Sequence, residues 1–172
     1  MTLRAPLCAA AVLVTVGVAA AAAHPLETEL PPGKAACYER VYDDAHLKAH
    51  PKQRVTRIIL IHGGAAEGPD FYLTLKFNVR ARSRSGDVFD YDIYGPCKTR
   101  GKGLVCANEW DAGAFRVEKA AGGGLLVRNL GIIANPWAYD SEDIADDAIR
   151  LPARSDDSAW KLAKVDAPYC KF

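Results

Sequence analysis

Residues 56–72 read TRIILIHGGAAEGPDFY, an apolar run that ends in His62-Gly63-Gly64. Backbone N–H groups of glycines placed after a strand can hold the oxyanion of an acyl transfer. Such a site also needs a serine on a G-x-S-x-G elbow, followed in the chain by an acid and then a histidine. The sequence has no such elbow, and His62 is its last histidine. The order cannot be built, so Gly63-Gly64 is read as the turn that ends a strand.

The other residues able to do chemistry are few. His46 and His50 are four apart, which on a helix puts both on one face as a zinc site requires, with Glu39, Asp43 and Asp44 nearby. Pro51 pushes His50 towards extended geometry, and surface histidines in a polar connection are expected instead. Glu109 and Asp111 in NEWDAG stand close enough in sequence for acid–base work on a glycoside, but paired carboxylates at a strand–turn boundary are commonplace. The stretch DSEDIADD, 140–147, lacks the central glycine and terminal glutamate of an EF-hand loop and reads as a capped turn or a solvated loop. A small metal-assisted or acid–base hydrolase using His46, His50, Glu109 or Asp111 is therefore the second reading. The first assigns no catalytic residue, no metal and no cofactor.

Two groups could bind instead of react. Lys76, Arg80, Arg82 and Arg84 form a basic comb at alternate positions. On a strand their charges stand on one wet face or at its end, where a phosphate, an anionic glycan or an acidic protein could meet them. Trp110, Trp137 and Tyr139 lie near turn-rich stretches and either join the core or line a binding mouth.

The elements that must position these residues are strands. In FYLTLKFNVRA, Phe71, Leu73, Leu75, Phe77 and Val79 alternate with polar residues, the period of a strand with one buried face. Residues 88–94 repeat the pattern and complete a hairpin. Further strand signals fall at 55–61, 103–107, 114–119, 125–130, 148–151 and 160–165. Residues 114–119 and 125–130 meet across AAGGG, and 148–151 and 160–165 share the same layout across a polar turn. Residues 36–51 form a short helix, or an opening strand followed by a turn. The lead-in HPLETELPPGK has no periodicity. The expected fold is all-β, an antiparallel β-barrel of about eight strands or a two-sheet β-sandwich, because closure hides unpaired edges.

The chain opens with Arg4, an apolar stretch and an alanine run, the pattern of a secretory signal peptide over residues 1–23. Residues 24–172 are then a single β domain, about 150 residues long and large enough for its own core. Cys8 falls within the signal peptide, which leaves Cys37, Cys97, Cys106 and Cys170 to form two disulfides in an oxidising compartment. In CKTRGKGLVC, a two-residue turn at Gly101-Lys102 sets Cys97 opposite Cys106 at a non-hydrogen-bonded site, where side chains are closest. Cys37 then pairs with Cys170. The formal net charge of +1 becomes zero without Arg4, which argues against general nucleic-acid binding. The expectation is a periplasmic or secreted monomer with no membrane span after cleavage. It would bind a protein, including an enzyme to be inhibited, an anionic envelope component, or a small apolar ligand.

Overall fold

The computed structural model describes residues 24–64, 71–80, 89–107, 113–136, 146–166 and 168–170. Residues 1–23, read above as a signal peptide, and Arg82, Arg84, Glu109, Trp110, Asp111, Trp137 and Tyr139 lie outside the described residues. The described strands are β1 (Ala36–Val41), β2 (Val55–His62), β3 (Phe71–Val79), β4 (Tyr91–Arg100), β5 (Gly103–Ala107), β6 (Gly113–Lys119), β7 (Leu125–Pro136), β8 (Ile149–Leu151) and β9 (Ala159–Val165). A short helix, α1 (Asp44–Ala49), follows β1.

The sheet closes into an eight-stranded antiparallel barrel. Strands β1 to β7 pair in chain order, and β9 returns between β7 and β1. Strand β8 is an extra strand beside the second half of β7. The barrel, and not a sandwich, is the outcome because the ring of ladders runs unbroken from β1 through β7 and β9 back to β1.

Alternation along the strands decides what enters the barrel. Leu60, Leu75 and Ile93 are cross-strand neighbours and buried, as are Ile58, Phe77 and Tyr91. Trp160 packs against Phe77 with ring centroids 5.8 Å apart. Together with Phe115, Val117, Val127 and Leu162 they fill the interior as one cluster. A second cluster, Cys37, Ile59, Ile61, Phe89 and Cys170 with Val165 against it, lies on the outward register of β1 and β2.

Three expectations change. The strand expected at 125–130 continues to Pro136, because Gly131 adopts φ 107° at a register shift and lets the chain bulge without ending. A Cβ on Gly113 would come within 1.6 Å of the Gly131 oxygen, so the two glycines make this close passage possible. Residues 148–151 and 160–165 do not pair with each other; β8 and β9 each pair with β7, at 132–134 and 125–128. Asn129 holds that arrangement, donating from Nδ2 to Leu151 O, Pro152 O and Asp157 O at 3.0, 3.2 and 3.1 Å and accepting from Gly131 N at 2.8 Å. The strand expected at 88–94 runs instead from Tyr91 to Arg100 as β4. The lead-in is ordered. It stoppers one end of the barrel with Leu26 and Leu30, both fully buried, and is tied by Tyr38 Oη to Glu29 O at 2.9 Å and by Lys119 to Glu29.

Both disulfides form as the spacing requires. Cys97 and Cys106 are register partners, with Cα atoms 4.0 Å apart, closed by a turn in which Gly101 takes φ 61°. Cys37 and Cys170 have Cα atoms 5.9 Å apart across 133 residues of sequence. Closing so long a loop removes far more unfolded-state freedom than closing the hairpin, about 4–5 kcal/mol in the chain-entropy estimate. Replacing Cys37 and Cys170 by Ala should lower the urea midpoint more than replacing Cys97 and Cys106. Equal losses in the two double variants would overturn that ordering.

Candidate functional site

The His-Gly-Gly end of β2 is a docking point for the stopper. His62 is 1% exposed, stands on the inward register opposite Ala36, and donates from Nε2 to Pro31 O at 3.2 Å. Burial lowers its pKa, opposed by the Pro31 carbonyl that its N–H meets. Gly64 has φ 77°, accepts from Gly33 N at 2.8 Å, and lies so close to the Lys34 backbone that a Cβ there would sit at 2.7 Å. Gly64 serves the stopper, whose backbone it approaches closely.

His46 and His50 come together, but not as ligands. Asp43 caps α1, accepting from His46 N at 2.7 Å. The Tyr42, His46 and His50 rings then stack in a column, with centroids 4.5 and 4.3 Å apart. An ion shared by two imidazoles lies in the plane of both, and near-parallel rings have no common plane at bonding distance. His46 Nε2 meets Gln53 Oε1 at 3.0 Å. Among the described residues no three His, Cys, Asp or Glu side chains gather as a metal-holding group.

The basic comb separates into different roles. Arg80 donates to Leu47 O and His50 O, at 2.5 and 2.8 Å, so it binds the last carbonyls of α1. Expected as a partner-binding charge, it clasps α1 to the end of β3. Lys76 lies on the outward register of β3 between Ile59 and Asp92, with Asn135 beyond Asp92. Burial raises the Asp92 pKa to about 6, with Lys76 pulling the other way, and burial lowers that of Lys76. This is a half-buried cross-strand pair inside a polar row of the barrel wall, poorly placed for an outside partner. Beside it Arg57 pairs with Glu39 at 2.7 Å and covers Phe89, with Cζ 4.7 Å from the ring centroid.

The outward register of β3 and β4 carries what the comb does not. Tyr72 pairs with Pro96 and Thr74 with Tyr94, so the two tyrosines are diagonal neighbours on one face. They are 48% and 58% exposed. Lys98 follows at the next outward position and is exposed. The sequence signal for this face is tyrosines at polar-parity positions, Tyr72 among Thr74 and Lys76 and Tyr94 after Asp90 and Asp92, away from the turns that carry Trp110, Trp137 and Tyr139. Among the described residues, no helix is long and apolar enough to cross a membrane. Comparison of the chain with family models, with curated proteins and with solved structures gives no match, so the reading rests on this geometry.

Two measurements test these assignments. Replacing His62 by Ala leaves Pro31 O without its donor and opens a cavity under the stopper, which should cost about 2–3 kcal/mol and speed proteolysis between residues 24 and 35. Unchanged stability would separate the histidine from the stopper. The Asp92 carboxyl should titrate near pH 6 by carbon NMR, and Lys76→Met should move it higher. With its folded pKa above the unfolded value, Asp92 makes the protein lose stability as pH rises from about 4 to 6. Asp92→Asn should flatten that part of the stability profile.

Proposed function

We propose that the protein is an exported, non-catalytic binding protein that recognises another protein through the outer face of β3 and β4. The observation that carries the reading is the pair of exposed tyrosines, Tyr72 and Tyr94, with Pro96 beside them on a rigid wall. Large amphipathic rings held at low conformational cost are the anchors that protein interfaces favour, and Lys98 supplies a polar rim. The wall is rigid because its inner side packs on Leu73, Leu75 and Ile93. Among the described residues Trp160, Phe77, Tyr91 and Phe115 occupy the interior, which favours the outer face over a small apolar ligand held inside. An enzyme to be inhibited is one protein such a face could meet.

Export to a periplasm or the extracellular space is supported by the basic, apolar and alanine-rich sequence of residues 1–23 and by the two disulfides, which persist in oxidising compartments. The hydrolase reading loses its support at His46 and His50, whose rings face each other and not a shared ligand.

A photo-crosslinking residue placed at Tyr94 in the producing cell should capture one predominant protein. Purified with that partner, Tyr72→Ala/Tyr94→Ala should weaken binding by about 30-fold or more, the loss of at least one interface anchor of about 2 kcal/mol. The fold should be unaffected, because both rings are outside. Binding that survives the double change would move the interface off this face.

A further inference from the structure

Two cations break the inside–outside alternation of the barrel at one place. Arg40 pairs with Ile58, and Lys164 with Tyr38. Ile58 and Tyr38 are buried at 0% and 2% and belong to the interior cluster, so Arg40 and Lys164 occupy positions that strand alternation assigns to the core. Both are nevertheless exposed. The β1–β9 ladder stops at Glu39↔Ala163, and beyond it the two strands part. A groove of about 570 Å³ runs along the parting, lined by residues 39–41, the Gly122–Gly124 turn and residues 161–164.

Its charge is one-sided. Arg40, Lys161 and Lys164 form no salt bridge among the described residues, and the acid on the rim, Glu39, is held by Arg57 at 2.7 Å. Lys161 donates to Ala121 O at 2.8 Å, which sets its ammonium at the turn. The Arg40 guanidinium lies 5.0 Å from the Tyr42 ring centroid, and stacking holds its planar fork in place. An apolar residue at position 40 would match Ile58 and favour continuing the ladder. A sequence that keeps a cation there leaves the wall open where closure would be stabilising, and a local rule broken in this way marks a functional position.

We infer that the groove binds a phosphate-class oxyanion, either a free phosphate or the phosphate of a lipid headgroup. Three cations that line one groove and form no salt bridge among the described residues raise a positive potential that a doubly charged oxyanion relieves. A guanidinium fork and two ammonium points suit phosphate oxygens. The volume lies in the range of small-ligand sites. The site uses strands other than those carrying Tyr72 and Tyr94 and stands or falls apart from the protein interface.

The test is an amide NMR titration of the full mature chain with pyrophosphate at low salt, beside co-sedimentation with vesicles of phosphatidylglycerol and of phosphatidylcholine alone. Saturable shifts confined to Val41, Gly122–Gly124 and Ala163 are expected, and Lys161→Gln/Lys164→Gln should weaken them by about tenfold or more, with Arg40→Gln acting in the same direction. The substituted side chains are exposed, and an otherwise unchanged spectrum reports an intact fold; Lys164→Gln alone serves if the pair does not fold. Pyrophosphate binding assigns the site to free phosphates, and binding only to phosphatidylglycerol vesicles, lost in the same variants, assigns it to a headgroup. No saturable binding to either probe, shifts centred elsewhere, or binding indifferent to the substitutions would overturn the inference.

Discussion

The barrel depends on one short joint between the two ends of the chain. Strands β1 to β7 are neighbours in sequence, so each ladder closes a short loop and forms at little entropic cost. The joint of β1 with β9 brings together segments more than a hundred residues apart, and its ladder is only three pairs, Cys37↔Val165, Tyr38↔Lys164 and Glu39↔Ala163. Without it the sheet would be open at β1 and β9, with the apolar inner face exposed at both edges. The Cys37–Cys170 bridge lies immediately beside these pairs, where a covalent tie reinforces the weakest ladder of the ring. The same joint is where β1 and β9 part, so the seam combines the greatest need for reinforcement with the greatest freedom to carry charge.

Trp160 and Leu162 bury the inner face of β9, and buried polar groups fix its place in the ring. At the end of the barrel opposite the stopper, Asp157 is 1% exposed and accepts from Arg54 N at 2.7 Å and Val55 N at 3.1 Å. Burial raises its pKa, and those two amides pull it back. Gln53 is also buried, donating to Val55 O at 2.8 Å while His46 meets its other end. Asn129 binds the connection between β8 and β9 from the other side. Each group is costly to bury alone; the Gln53 partners are local, whereas those of Asp157 and Asn129 exist only when β2, β7 and β9 stand in this order. The apolar alternation makes a barrel; these bonds select which strand occupies which place in it.

The interior of the barrel is packed with apolar side chains and one end carries the stopper, so the proposed recognition uses the outside. The outward face of β1 and β2 is partly covered by Phe89 and Cys170, and the row from Glu39 to Asp92 is taken up by cross-strand pairs. Arg80 is committed to α1. Among the exposed residues outside these contacts are the tyrosines of β3 and β4 and the cations of the β1–β9 seam, two groups of different chemistry on one scaffold.

The sequence by itself determined the fold class, both disulfides, the β3–β4 hairpin and the β5 hairpin turn, because each rests on local rules: a period of two, and a glycine-first turn that sets Cys97 against Cys106. The order of residues in the chain also argues against an esterase triad at His62-Gly63-Gly64, since no histidine follows His62. Tertiary structure alone decided three things. Strand β9 takes the place beside β1 that a hairpin with β8 would have denied it, because Asn129 and Asp157 bond across segments that sequence spacing does not relate. Arg80 has its partners in a helix thirty residues away in sequence, so alternation could place its charge outside but not show what it holds. Arg40 and Lys164 become a candidate site only once the register shows that core positions surround them, and register between the ends of a chain is a long-range property that no local pattern carries.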